Sequence, residues 1–210
     1  PEAPYNADND LLLRIAANSK VAEAYYLAEA TTDKEAHIAS MGKDGYMDYV
    51  IKNGTKIEGL SGASDSDVTV TGMVGEYIIT VVAVNGNDKM ATETTFTGLK
   101  WESIGIGMLS SSFFGGEGEC EFYKASPVLK YKAIGPFEEG YDIVFDVADN
   151  NSVTVAQQAV YSSYGSYGTL YVSGNGALQS NKITVNLTFR VSAGVFGAFT
   201  ETFILPATEP

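Results

Sequence analysis

From Lys182 to Val191 the chain alternates without a break. Ile183, Val185, Leu187, Phe189 and Val191 fall on one side of an extended strand, and Thr184, Asn186, Thr188 and Arg190 fall on the other. A helix would scatter these apolar side chains around its axis, because its period is 3.6 rather than two. Shorter runs of the same kind recur at 119–124, 128–134, 141–147, 152–156, 168–173 and 196–205, and no stretch of 100–210 carries helical periodicity. Short strands punctuated by Gly, Asn and Ser predict an all-β sandwich or a partly open barrel for this half.

The first half reads differently. LLLRIAA (11–17) and VAEAYYLAEA (21–30) are expected strands, VTVT (68–71) a short one, and GEYIITVVAVNG (75–86) turns at Asn85-Gly86 into MATETTFTG (90–98). Between them, Thr32 followed by Glu35 is a capping-box spacing. It predicts a short helix to about Met41, stopped at Gly42, and a second from Asp44 to Lys52 before Asn53-Gly54. The expected organisation is two tandem β-sandwich-like domains, 1–98 and 99–210, with a helical excursion at 32–53 in the first. Phe113-Phe114, within a Gly/Ser-rich segment, are expected to plug the space between the domains.

Charge narrows the function classes. Thirteen Lys and Arg face 26 Asp and Glu, a formal charge of −13. Such a field repels phosphate backbones and anionic bilayers, so no nucleic-acid partner and no polybasic membrane contact is expected. One Cys and one His cannot make an internal disulfide or a Cys/His zinc site, and no cofactor motif is present: the glycines at 105, 107, 115, 116 and 118 form no phosphate loop. No run reaches the roughly 20 apolar residues of a membrane helix. The polar first ten residues lack an initiator Met, so the chain is expected to be a trimmed or mature form of an exported protein.

The stretch GEYIITVVAVNGNDKMATETTF resembles the closing strands of a fibronectin type III domain, with Tyr77 as the tyrosine that opens the strand. The order of pieces, this module followed by WESIGIGMLSSSFF (101–114) and by EFYKASPVLKYKAIGPF (121–137), is similar to surface lipoproteins of Bacteroidetes. That resemblance implies an outer-membrane or cell-surface address, with the periplasm as the alternative, and membrane association only through a lipid anchor. It carries over no catalytic residue.

No acid, base and nucleophile converge in the sequence, so no catalytic residue and no metal site is assigned. His37 is read as a helix-surface or partly packed side chain, and Cys120, between Glu119 and Glu121, as core. Asp142 and Asp146 share one face of YDIVFDV but stand roughly 13 Å apart at about 3.3 Å per residue, too far to flank one glycosidic bond. A partner across strands from Glu138, Glu139, Asp149 or Glu201 leaves a hydrolase-like enzyme as an alternative. Asp146, Asp149, Asn150 and Asn151, and separately Asp65 and Asp67, are read as Asx turns rather than calcium loops. The most distinctive tract is YSSYGSYGTLYVSGNG (161–176). Tyr161, Tyr164 and Tyr167 recur every three residues among Gly and Ser, a mixture recognition loops favour. With Asn175 they form the candidate ligand-binding set. The expected function is a non-catalytic surface or periplasmic binding module for a neutral glycan or a protein partner, since the net charge opposes uronates and sulfated chains. A purely structural or adhesion role is the other alternative.

Overall fold

The structure, a computed structural model, describes residues 4–207. The chain divides into two compact units, 1–100 and 101–210.

In the first unit, β1 (Leu11–Ala16) pairs antiparallel with β4 (Asp65–Val70). A second sheet has the order β3 (Thr55–Lys56), β2 (Glu23–Ala30), β5 (Gly75–Asn85), β6 (Asp88–Gly98). Leu13 and Ile15 of β1, Val68 and Val70 of β4, and Ala24, Ile79 and Val81 of the four-stranded sheet share one apolar cluster, so the two sheets meet across it. The other face of β5 and β2, through Val82 and Tyr25, packs on Tyr46 and Val50 of α1 (Thr31–Asn53). Gly42 leaves helical geometry at φ 73°, ψ 173°, so α1 is two helices meeting at a kink. The expected Thr32–Glu35 capping box does not form. The helix starts at Thr31 without a side-chain cap, and the Thr31 hydroxyl instead donates to the Glu76 carbonyl across the sheet.

The second unit corrects the expected sandwich. Eight strands run up and down in sequence order and close on themselves: β7 (Lys100–Ser111), β8 (Gly116–Ser126), β9 (Lys130–Glu138), β10 (Tyr141–Val147), β11 (Ser152–Tyr161), β12 (Leu170–Gln179), β13 (Lys182–Val191) and β14 (Gly194–Ile204). Closure comes from β14 pairing with β7, Thr202 opposite Ser110 and Ile204 opposite Met108. From sequence, no strand of this half is expected before 119 and 105–118 is a Gly/Ser-rich segment, yet β7, at 100–111, is the strand that turns an open sheet into a barrel. A sandwich has free edges; this closed wall has none.

Inside, side chains fill the space, as an eight-stranded barrel of this size permits. Phe122, Phe145, Phe189 and Phe203 are fully buried, with Ile143, Leu170, Val172, Ile183 and Leu187 between them. The alternation of 182–191 maps directly onto burial: its five apolar residues face in and the intervening ones face out. On β12 the inward row is Leu170, Val172, Gly174, Gly176 and Leu178. A Cβ on Gly174 or Gly176 would sit 2.0 Å from a β13 carbonyl oxygen, so glycine lets β12 press against its neighbour where the wall curves. Cys120 packs into the same core, and burial pushes its thiol up to about 11.

One seam of the barrel is held by a side chain. β10 and β11 are paired at Asp146–Thr154 and Val147–Val153. Farther along, the Gln158 amide takes the place of the backbone ladder, accepting from the Val144 N–H at 2.9 Å and donating to the Val144 carbonyl at 3.1 Å. Gln158→Ala is expected to cost about 1–3 kcal/mol, the penalty for stranding both groups. Amide hydrogen exchange at Val144 should accelerate with it. Unchanged stability and protection would show that water replaces the amide freely.

Candidate functional site

In an up-and-down barrel the connections β7–β8, β9–β10, β11–β12 and β13–β14 all emerge at one end, and here that end is aromatic. Phe113, from the first connection, stacks on Phe189 with centroids 4.0 Å apart and planes 6° from parallel. Around it stand Phe114 at 4.9 Å, Phe199 at 5.1 Å, Tyr164 at 5.6 Å and Phe196 at 5.7 Å. Phe114 continues the cluster to Phe137 at 4.8 Å and Tyr161 at 5.9 Å. The Phe113-Phe114 pair therefore caps the barrel from within its own unit, where the sequence suggested a plug between domains.

The tyrosine tract divides between two roles. Tyr161 and Tyr164 are half-buried and pack on the barrel core. Tyr167 stays at the surface, 54% exposed, its ring 5.8 Å from that of Phe196. Asn175 is exposed on the outer wall between Thr154 and Asn186, five residues along β12 from Leu170. At about 3.3 Å per residue that is roughly 17 Å down the wall from the strand's start, so the structure does not bring Asn175 to the tyrosines.

Phe196, which sequence reasoning missed, stands beside Tyr167 instead. The register between β13 and β14 slips, with Phe189 opposite Gly197 but Arg190 opposite Val195. Phe196 is the extra residue of a β-bulge, and Gly197 adopts φ 131° to allow it. A bulge re-aims the side chain it carries, and this one brings the Phe196 ring 5.4 Å from Tyr164. Val195 at 56%, Phe196 at 39% and Phe114 at 38% exposure, with Tyr167, make an apolar rim. The signal was available: Gly197 inside an otherwise apolar strand, VFGAF, marks a bulge.

The loops under this rim are fixed by carboxylates. Glu138 accepts from the Ser162 N–H and, at 2.8 Å, from the Ser162 hydroxyl. The Tyr164 N–H donates to the Gly168 carbonyl at 2.8 Å, closing the loop around a single turn of 3₁₀ helix, Gly165–Tyr167. Glu201, inside the barrel, accepts through Oε1 from the Ser112 and Phe113 N–H groups at 3.1 and 3.0 Å. Its Oε2 is buried without a partner. Burial is the largest influence on this carboxyl and raises it above its ordinary value, against the opposing pull of the turn's hydrogen bonds.

The remaining candidate groups are occupied elsewhere. Asp142 accepts from the Gly135 N–H, Asp146 pairs with Lys130 at 2.7 Å, and Asn150 Oδ1 accepts from the Ser152 N–H and hydroxyl in an Asx turn. Asp65 is held by Arg14. Among the described residues no group of three His, Cys, Asp or Glu side chains is placed to hold a metal ion. On the helix side of the first unit, His37 Nδ1 lies 2.8 Å from Glu29 Oε1, and the Tyr46 hydroxyl donates to Glu29 Oε2 at 2.6 Å. Burial and the Glu29 carboxylate raise the Tyr46 hydroxyl, which keeps it a neutral donor. Lys34 of α1, buried, pairs with Glu93 of β6 at 2.5 Å. This network ties the helix to its sheet.

No family model, curated protein or solved structure matches this chain. The fibronectin type III and Bacteroidetes lipoprotein labels therefore have no relative behind them, and the β-sandwich label gives way to the closed barrel.

Proposed function

We propose that the chain is a non-catalytic binding module whose ligand end is the aromatic rim of the barrel, and that the ligand is a neutral glycan. The observation that carries this reading is the exposed set Phe114 and Tyr167, on connections fixed by Glu201 and Glu138, with Val195 and Phe196 at the β14 bulge beside them. Sugar rings present C–H faces that stack on such rings, and in the same loop Ser166 and the remaining lone pairs of Ser162 and Ser163, whose hydroxyls donate to Glu138 and the Gly165 carbonyl, can meet sugar hydroxyls. Loops ordered before binding lose little entropy when a ligand arrives. An exported setting, at the cell surface or in the periplasm, is where such a module meets polymeric glycans.

A glycan array followed by calorimetry tests it. Tyr167→Ala and Phe196→Ala should each weaken the glycan identified by about 10–100-fold, corresponding to 1–3 kcal/mol for a stacked hot-spot ring. Both side chains are exposed, so thermal unfolding should barely move. A screen without any glycan hit, or a hit indifferent to both substitutions, overturns the reading. A protein captured through these same two rings would replace the glycan by the second expected partner class.

A further inference from the structure

Beside the rim, on the outer wall of the barrel, lies an open groove of about 380 Å³ lined by Gln157, Tyr171, Arg190, Ser192 and Val195 and by the backbone of the β13–β14 turn. Two irregularities create it. β11 carries one extra residue between Val155 and Gln158, where Gln157 sits, and the Phe196 bulge sets the position of Val195. Tyr171 stands directly across the ladder from Arg190.

Arg190 is one of only two arginines in the chain, and its position is unusual in a molecule of charge −13. Among the described residues no carboxylate lies within ion-pair distance of it, whereas Arg14 is bound to Asp65. Its one hydrogen bond goes from Nη1 to Gln157 Oε1 at 3.1 Å. A guanidinium has five donors in a planar fork, so most of that capacity is unspent. The Gln157 amide nitrogen also remains to donate, and no acidic residue lines the groove.

From this arrangement we infer a site for a single carboxylate carried on a sugar ring, an acidic sugar of the uronate type. A carboxylate matches the fork in a bidentate pair. One uncompensated cation balances one negative charge, which favours a carboxylate over a phosphate dianion. The Tyr171 ring, half-buried at the groove wall, offers the apolar face against which a pyranose ring lies. The global negative charge is not decisive here, because at physiological ionic strength charges beyond about 8 Å are largely screened. The site shares Val195 with the rim but uses none of its aromatic side chains, Phe114, Tyr167 or Phe196.

The test is titration of the full ¹⁵N-labelled chain with glucuronate, glucose, propionate and inorganic phosphate, following the Arg190 Nε–H and Gln157 side-chain amide signals. Glucuronate should shift both saturably. Arg190→Gln should weaken it at least tenfold, while Arg190→Lys, which keeps the charge and loses the fork, should fall between. Arg190 is exposed, so the variants should melt like the parent. Glucose binding as tightly as glucuronate would overturn recognition of the carboxylate, and propionate or phosphate doing so would overturn the sugar acid. Absence of any shift, or an unchanged affinity in Arg190→Gln, removes the site altogether. Tyr167→Ala should leave glucuronate binding intact, so loss of the rim reading and loss of this one are told apart.

Discussion

Phe189→Ala is expected to destabilise the barrel unit by about 3–5 kcal/mol, the range for removing a buried phenylalanine from a core that relaxes only in part. Phe189 is fully buried, and it is the floor on which the aromatic cap rests. Phe113 stacks on it at 4.0 Å, and Phe137 and Phe199 meet it edge-on at 5.9 Å. Its removal therefore leaves a void beneath the β7–β8 connection and beside rings of β9 and β14 at once, rather than a gap between two strands. The single tryptophan, Trp101, lies in the barrel unit with the Lys132 ammonium 4.2 Å from its ring centroid. Its emission during guanidinium unfolding accordingly reports on this unit. The transition followed by Trp101 should move to lower denaturant. A double-mutant cycle with Phe113→Ala should return a coupling of about 0.5–1.5 kcal/mol for the stacked pair. A loss below about 1 kcal/mol would mean that the cap collapses into the space and that the rings are not a cooperative plug.

How much of this the sequence disclosed depended on whether a feature was local. The alternation of 182–191 is a local property of an extended chain, and it fixed both the strand and its inward face before any partner was known. The kink at Gly42 was likewise legible, because a glycine between two helical patterns breaks the run. Closure of the barrel was not. It depends on Ile204 meeting Met108, nearly a hundred residues apart, and β7 hides its strand character behind Gly105, Gly107 and a run of serines. Gly107 is there for packing: a Cβ would lie 2.1 Å from the Ile204 carbonyl oxygen and 2.8 Å from the Phe122 ring. Residues that look like a flexible connector are small because two strands and a buried ring converge on them. The tyrosine tract was visible as composition, but its division was not, because only the loop's folded path decides which ring turns inward. Phe196 and Arg190 were both read as ordinary strand positions. The bulge that gives each its setting shows in sequence only as one glycine.

Glu201 supplies the second large effect, and its sign depends on pH. The alternation Phe199, Glu201, Phe203, Leu205 puts one carboxyl on the inward face of an apolar strand, where its Oε1 holds the turn that carries Phe113 and Phe114. Glu201→Ala leaves the Ser112 and Phe113 N–H groups without their acceptor and opens a void, and a loss of about 2–4 kcal/mol is expected from the stranded amides and the lost packing together. Glu201→Gln keeps an acceptor oxygen for both amides and removes the titrating group. In the folded chain this carboxyl is raised above its ordinary value near 4.5 by burial. A folded-state value above the unfolded one means that the native state holds the proton more tightly. The stability this contributes is complete below the unfolded value and is lost as pH rises through the folded one. The glutamine variant should therefore gain on the parent as pH rises from about 4.5, until the folded-state carboxyl has ionised, and hold a constant advantage beyond that point. Guanidinium unfolding of both proteins across that range, followed by Trp101 emission, measures the difference directly. A parent that instead gains on the glutamine variant with rising pH would show that the two turn amides outweigh burial, and that the cap is anchored by a carboxylate at every pH in the series.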